Sequence, residues 1–184
     1  SKNQLAYESP SGTICECCHP SLAFDDSGKL VVLFRNSVAG ARDMYMTSTS
    51  NYGASFSTAT KLGSGTWMIN ACPMDGGMVF AGESGASGAI WRRENIIYYF
   101  MNGNDIGELA LGEGKQPWAA LGTNGDIFAI WSSPAGIVSV RLGDSAKVIS
   151  PQGTNPVVSS SPDRKIVFAA WANGGIQGTV MASL

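Results

Sequence analysis

Residues 15–56 read CECCHPSLAFDDSGKLVVLFRNSVAGARDMYMTSTSNYGASF. Two β-prone runs, 21–24 and 29–35, flank the tight turn Asp25-Asp26-Ser27-Gly28, and two more, 43–48 and 57–62, follow after short loops. Four such runs separated by turn residues predict one small antiparallel sheet. The same order of strand, turn and strand returns in QPWAALGTNGDIFAIW (116–131) and NPVVSSSPDRKIVFAAW (155–171). A less regular copy starts at Pro73, with strands expected over 78–81, 89–92, 96–101 and 108–111. Units opening at Pro20, Pro73, Pro117 and Pro156 recur at intervals of about 40 to 50 residues, the spacing of propeller blades.

The expectation is an all-β protein: one domain over 1–184, a β-propeller of four blades over 20–62, 73–112, 117–150 and 156–184. The stretch after Pro156 has room for three strands, so the piece around 4–8 is expected to complete the last blade and close the ring, removing two open edges. The competing arrangement is an open part of a larger propeller completed by a second copy of the chain.

Composition narrows the function classes. With 23 glycines and 14% charged residues the chain is not patterned as helices. A net charge of -2 and no basic stripe argue against nucleic acid. No apolar run is long enough for a membrane-spanning helix. Four cysteines fit either an oxidising compartment or a metal site, so the periplasm or secretion is favoured only if they are oxidised.

Two rim features carry the candidate chemistry. Cys18 lies just before Pro20 and Cys72 just before Pro73, at the starts of neighbouring blades, so Cys72 is expected near Cys15, Cys17 or Cys18. The outcomes are a disulfide between blades, free thiols, or a Zn or Cu site of thiolates with His19; no other cofactor is expected. Arg35 ends the second strand and Arg42-Asp43 opens the third, so the two arginines are expected on one face, either gripping an anion or pairing with Asp43. Arg92-Arg93-Glu94 reads as a surface hairpin. Trp131 and Trp171 repeat a strand position and read as core, while Trp67 and Trp118 lie near blade starts, where an indole can stack on a sugar. Asp43, Asp75, Glu83, Tyr98 and Tyr99 are the acids and phenols available for glycoside hydrolysis, and none has a context that marks it as catalytic.

Thr49-Ser50-Asn51-Tyr52-Gly53-Ala54-Ser55-Phe56 resembles the Asp-box, the bacterial neuraminidase repeat of sialidase-type propellers, with Asn51 where Asp is usual. The resemblance implies a structural turn between the third and fourth strands of a blade, with Thr49, Asn51, Gly53, Ser55 and Phe56 as its working residues. The set C-x-C-C-H-P, F-R-N, A-R-D and W-M-I-N-A-C-P-M-D-G-G is similar to the later part of longer, CxCC-containing bacterial sialidase-like proteins. Arginines and aromatics without an identifiable pair of acid and nucleophile lead to the expectation of a propeller that binds a small anionic molecule or glycan through Arg35, Arg42, Asp43, Asp75, Trp67 and Trp118, as monomer or homodimer. The alternatives are an exo-sialidase and a Cys/His metal-binding protein.

Overall fold

The computed structural model describes residues 3–183. It contains four antiparallel sheets in chain order. The first is β1 (Ser21–Phe24), β2 (Leu30–Arg35), β3 (Met44–Thr49) and β4 (Thr60–Lys61). The second is β5 (Met78–Ala81), β6 (Ser87–Arg93), β7 (Ile96–Met101) and β8 (Glu108–Glu113). The third is β9 (Lys115–Leu121), β10 (Ile127–Ser133), β11 (Gly136–Arg141) and β12 (Lys147–Ser150). The fourth is β13 (Thr154–Ser160), β14 (Ile166–Ala172) and β15 (Ile176–Ser183). Each sheet is a plain up-and-down meander, so sequence neighbours are spatial neighbours throughout.

The near-continuous apolar runs of the strands follow from burial on both faces. In β6, Ala89 and Trp91 point into a core shared with the first blade, while Ile90 points into the core shared with the third. In β10, Ala129 and Trp131 face the second blade and Phe128 and Ile130 face the fourth. Three inter-blade cores therefore hold four blades in a row. Trp131 and Trp171 both lie in these cores, as the repeat predicts.

The inner strands β1, β5, β9 and β13 end in hairpins with matching bonds: the backbone N–H of Asp25, Gly82, Gly122 and Ser161 donates to the carbonyl of Lys29, Ala86, Asp126 and Ile166. Counting back from these turns places Pro20, Gly77, Pro117 and Pro156 at one structural position. The second blade thus starts at Met78, and Pro73 belongs to the loop before it. Gly76, beside that position, is fixed by close approach: a Cβ there would lie 2.3 Å from the His19 carbonyl oxygen.

Two expectations are corrected. The expected strand over 57–62 shortens to β4, because Ser57 bonds locally, donating its N–H to the Ser48 carbonyl and accepting the Ser48 N–H on its hydroxyl. The segment around 4–8 does not complete the fourth blade, which has three strands among the described residues. It lies on the outer face of the first blade, where the Tyr7 ring packs 4.6 Å from Phe34 and the Asn36 amide donates to the Tyr7 hydroxyl. At the hairpin end, the first and fourth blades meet through the Arg164–Asp26 ion pair at 2.6 Å.

The turn 49–56 is built from side chains. The Thr49 hydroxyl donates to Asn51 Oδ1 and accepts the Gly53 N–H, and the Ser55 N–H donates back to Asn51 Oδ1. Asn51 Nδ2 donates to the Ser55 hydroxyl at 2.8 Å, a bond an aspartate could not donate. Tyr52 and Gly53 take positive φ to make the corner, with the Phe56 ring beneath Gly53.

Candidate functional site

The blade-start end of the propeller collects most of the sequence candidates. Arg35 is the last residue of β2 and is 1% exposed. Its Nη1 donates to the Arg42 carbonyl at 2.6 Å, its Nε and Nη2 to the Asp75 carbonyl, and Nη2 also to the Arg92 carbonyl at 2.8 Å. Burial pulls the guanidinium below its ordinary pKa, opposed by the neighbouring Asp75 carboxylate. The donors of Arg35 thus tie three backbone segments together, and it does not present a fork to solvent as expected of an anion clamp.

Around this strut sit the other charges. Asp75 is buried, and its Oδ2 lies 3.0 Å from Arg92 Nε and accepts the Gln116 N–H at 3.0 Å. The Arg92 Nε–H is not aligned with the carboxylate, so this contact is Coulombic rather than a hydrogen bond. Both guanidiniums lie over the buried Trp67 ring, Arg35 at 5.2 Å and Arg92 at 5.3 Å from its centroid. Trp67 is accordingly a packing element of the rim and has no free face for a sugar. Neither arginine pairs with Asp43, whose carboxylate lies 3.0 Å from Lys61 and accepts the Trp67 N–H.

Arg42 is different. It forms no ion pair among the described residues, and its buried Nε has no hydrogen-bond partner. It lines a cavity of about 340 Å³ together with Cys15, Glu16, Cys17, Asn70 and Cys72. The backbone of Arg42 is fixed at both ends of its peptide unit, since its N–H donates to the Trp67 carbonyl and its carbonyl receives Arg35.

The cysteines form the cavity's second wall. Cys17 and Cys72 are joined in a disulfide with a Cα separation of 6.4 Å, which links the segments before the first and second blades. Cys15 and Cys18 are buried free thiols with their Sγ atoms 2.9 Å apart. Burial and the neighbouring Cys18 push the Cys15 thiol up to about 11, so it is protonated at neutral pH and unreactive there. The Sγ atoms of Cys15, Cys17 and Cys72 lie within 4.8 Å of one another. His19 is outside that group; its ring stacks at 6.4 Å on Trp118, which is half-buried against the third core.

Sequence reasoning missed three members of this end. Arg92 is an interior ion-pair partner and not the surface charge that Arg92-Arg93-Glu94 implied; its neighbour Arg93 is bound bidentately by Glu108. Gln116 and Asn155 form a reciprocal amide pair, the Gln116 Nε2 donating to Asn155 Oδ1 and the Asn155 N–H donating to Gln116 Oε1. Both precede a repeat proline just as His19 precedes Pro20, and aligning the repeats on those prolines would have put them on the same rim.

The remaining acid and phenol candidates lie elsewhere. Glu83 sits in the hairpin after β5, at the opposite end of the strand from Asp75. Tyr98 stacks on Trp91 in the first core with Arg93 3.9 Å above it, and Tyr99 stacks on Phe80 in the second core, where burial raises its pKa. Neither phenol reaches the rim.

No protein-family model matches the sequence, and no curated protein matches it. Among solved structures it is similar to an α-L-arabinanase of Penicillium chrysogenum complexed with arabinobiose (12% identity, 97% of this chain and 65% of that chain, TM-score 0.57). It is also similar to the catalytically inactive virginiamycin B lyase of Staphylococcus aureus with quinupristin (13% identity, 86% and 54%, TM-score 0.51). A third is an α-L-arabinofuranosidase of Podospora anserina in complex with cellotriose (13% identity, 90% and 64%, TM-score 0.50). At these identities the likeness is one of fold alone, that of a β-propeller. The chain spans between 54% and 65% of the length of these three.

Proposed function

We propose that this chain is a sialidase-like propeller that binds a small anionic or carbohydrate ligand at the blade-start rim without turning it over. One observation carries the reading: Arg42 lines a rim cavity with a buried Nε that no protein group satisfies. A carboxylate is the natural complement of such a group, since it accepts from a guanidinium in a charge-assisted bond. Asn70 in the same wall offers the amide that sugar hydroxyls require. Two fold neighbours are glycosidases solved with a sugar bound, which is consistent with a glycan as the carrier of the anion. The packing of Tyr98 and Tyr99 against inter-blade cores, away from the Arg42 cavity, favours binding over a phenol-nucleophile mechanism. The Cys17–Cys72 disulfide goes with an oxidising compartment, the periplasm or the exterior.

The test is calorimetric titration with N-acetylneuraminic acid and with its methyl ester, beside a fluorogenic sialoside assay. The acid is expected to bind and the ester not, with no turnover. Equal affinity for both would contradict a role for Arg42, and turnover would replace the binding reading with an exo-sialidase one. A second reading rests on the sulfur cluster: with the disulfide reduced, Cys15, Cys17 and Cys72 offer three thiolates in a geometry that suits Zn or Cu(I). Elemental analysis of protein kept reduced throughout purification decides it, since a metal content well below one per chain rules it out.

A further inference from the structure

At the hairpin end, opposite the rim, the four inner hairpins repeat one corner and the fourth breaks the pattern. Three residues after the N–H donors Asp25, Gly82, Gly122 and Ser161 stand Gly28, Gly85, Gly125 and Arg164, with φ of 84°, 75°, 77° and 59°. Glycine takes that conformation freely and arginine does not. The side chains of its own turn hold Arg164 there: the Ser161 hydroxyl donates to Asp163 Oδ1, which also accepts the Lys165 N–H. From this corner the guanidinium reaches Asp26 of the first blade, donating from both Nη atoms. Strain kept at one of four equivalent corners marks a side chain that is needed where it stands.

Arg164 also lines a cavity of about 400 Å³ at the hairpins of the second and third blades, with Phe80, Glu83, Met101, Leu121 and Asn124. Its apolar walls continue the core shared by those blades, in which Phe80 is buried and against which Met101 and Leu121 pack. The charges at this end do not cancel. Asp26 engages both Nη atoms of Arg164, whereas Glu83 forms no ion pair among the described residues. Of two acids and one arginine, Glu83 is the group left over.

We propose that this cavity is a second binding site, separate from the rim, for a small organic ammonium ion: an amine carried on an apolar body. The ammonium group pairs with Glu83 and the body lies against Phe80, Met101 and Leu121. Such an ion is selected twice, by the charge of the carboxylate and by burial of its apolar part. The volume is that of a small-molecule site. An anion fits less well, because Glu83 repels it and because reaching Arg164 means displacing Asp26.

The test is calorimetric titration with phenethylamine, beside phenylacetate as a similar body of opposite charge and methylammonium as the charge without the body. Phenethylamine is expected to bind, and the other two at least about tenfold more weakly. Glu83→Gln should weaken phenethylamine by at least about tenfold, while Glu94→Gln, on the exposed hairpin between β6 and β7, should leave its affinity unchanged. Methyl NMR locates the site independently of affinity: the Met101 methyl signal should shift saturably, and those of the exposed rim residues Met68 and Met74 should stay in place. Absence of phenethylamine binding overturns the proposal, as does undiminished affinity in Glu83→Gln. Phenylacetate or methylammonium binding as tightly as phenethylamine overturns it too, since charge or body alone would then suffice. Saturable shifts of Met68 or Met74 with Met101 unmoved would assign the amine to the rim and equally contradict it.

Discussion

Arg35 and Arg42 stand seven residues apart at the two ends of one loop, and the fold uses them in opposite ways. Arg35 is buried with its donors directed at the carbonyls of Arg42, Asp75 and Arg92. Arg42 lines an open cavity with no carboxylate partner and an unsatisfied Nε. A buried guanidinium bonded to three carbonyls holds structure, while the one whose Nε has no partner among the described residues is the one proposed to meet a ligand. The difference is made by the backbone, because the carbonyl of the second arginine is itself one acceptor of the first.

Substitution should separate the two roles. Arg35→Met is expected to have the largest effect, a loss of about 3 to 5 kcal/mol in denaturant unfolding, because it leaves several buried acceptors unpaired. A loss below about 1 kcal/mol would mean that water replaces the guanidinium and that Arg35 is no strut. Cys17→Ser should cost about 2 to 4 kcal/mol by opening the covalent loop between the first two blades. It should also weaken binding at the Arg42 cavity, whose wall the disulfide forms; unchanged affinity would place the ligand elsewhere on the rim. Arg42→Gln should change stability by no more than about 0.5 kcal/mol while removing anion affinity, and a large stability loss would erase the contrast with Arg35.

A further effect is the pH dependence of the cavity wall that holds Cys15. The Cys15 thiol titrates at about 11 in the folded protein against an ordinary 9.0, so its folded form holds its proton more tightly. Its contribution to stability is complete below pH 9 and is lost as pH rises through about 11. Unfolding midpoints measured from pH 8 to 11 should fall in the wild type and fall less in Cys15→Ala. Parallel curves would show that the thiol is not buried as described.

Much of the architecture was legible because a propeller repeats its grammar. The hairpin turns at Asp25-Gly28 and Asn124-Gly125 mark one place in the first and third blades, and Trp131 and Trp171, near the ends of β10 and β14, mark another in the third and fourth. The second blade was harder to place because Gly77 stands where the others have proline, which made Pro73 look like the start of the unit. The N-terminal segment was misplaced since strand-like alternation says nothing of which face it joins; the Tyr7 contacts with Phe34 and Asn36 decide that. The proximity of Cys72 to the CxCC cluster followed from neighbouring blade starts, but which cysteine it joins depends on backbone direction within the cluster. Arg92 looked superficial beside Arg93 and Glu94 because alternation along β6 turns one arginine toward Asp75 and the next toward Glu108.

The central claim is that Arg42, and not Arg35, meets the ligand. Side-chain NMR of the two arginine Nε–H groups during titration with N-acetylneuraminic acid tests it most directly. The Arg42 signal should move in a saturable way while the Arg35 signal stays in place. Saturable movement of Arg35 with Arg42 unaffected, or no movement of either, would contradict the account.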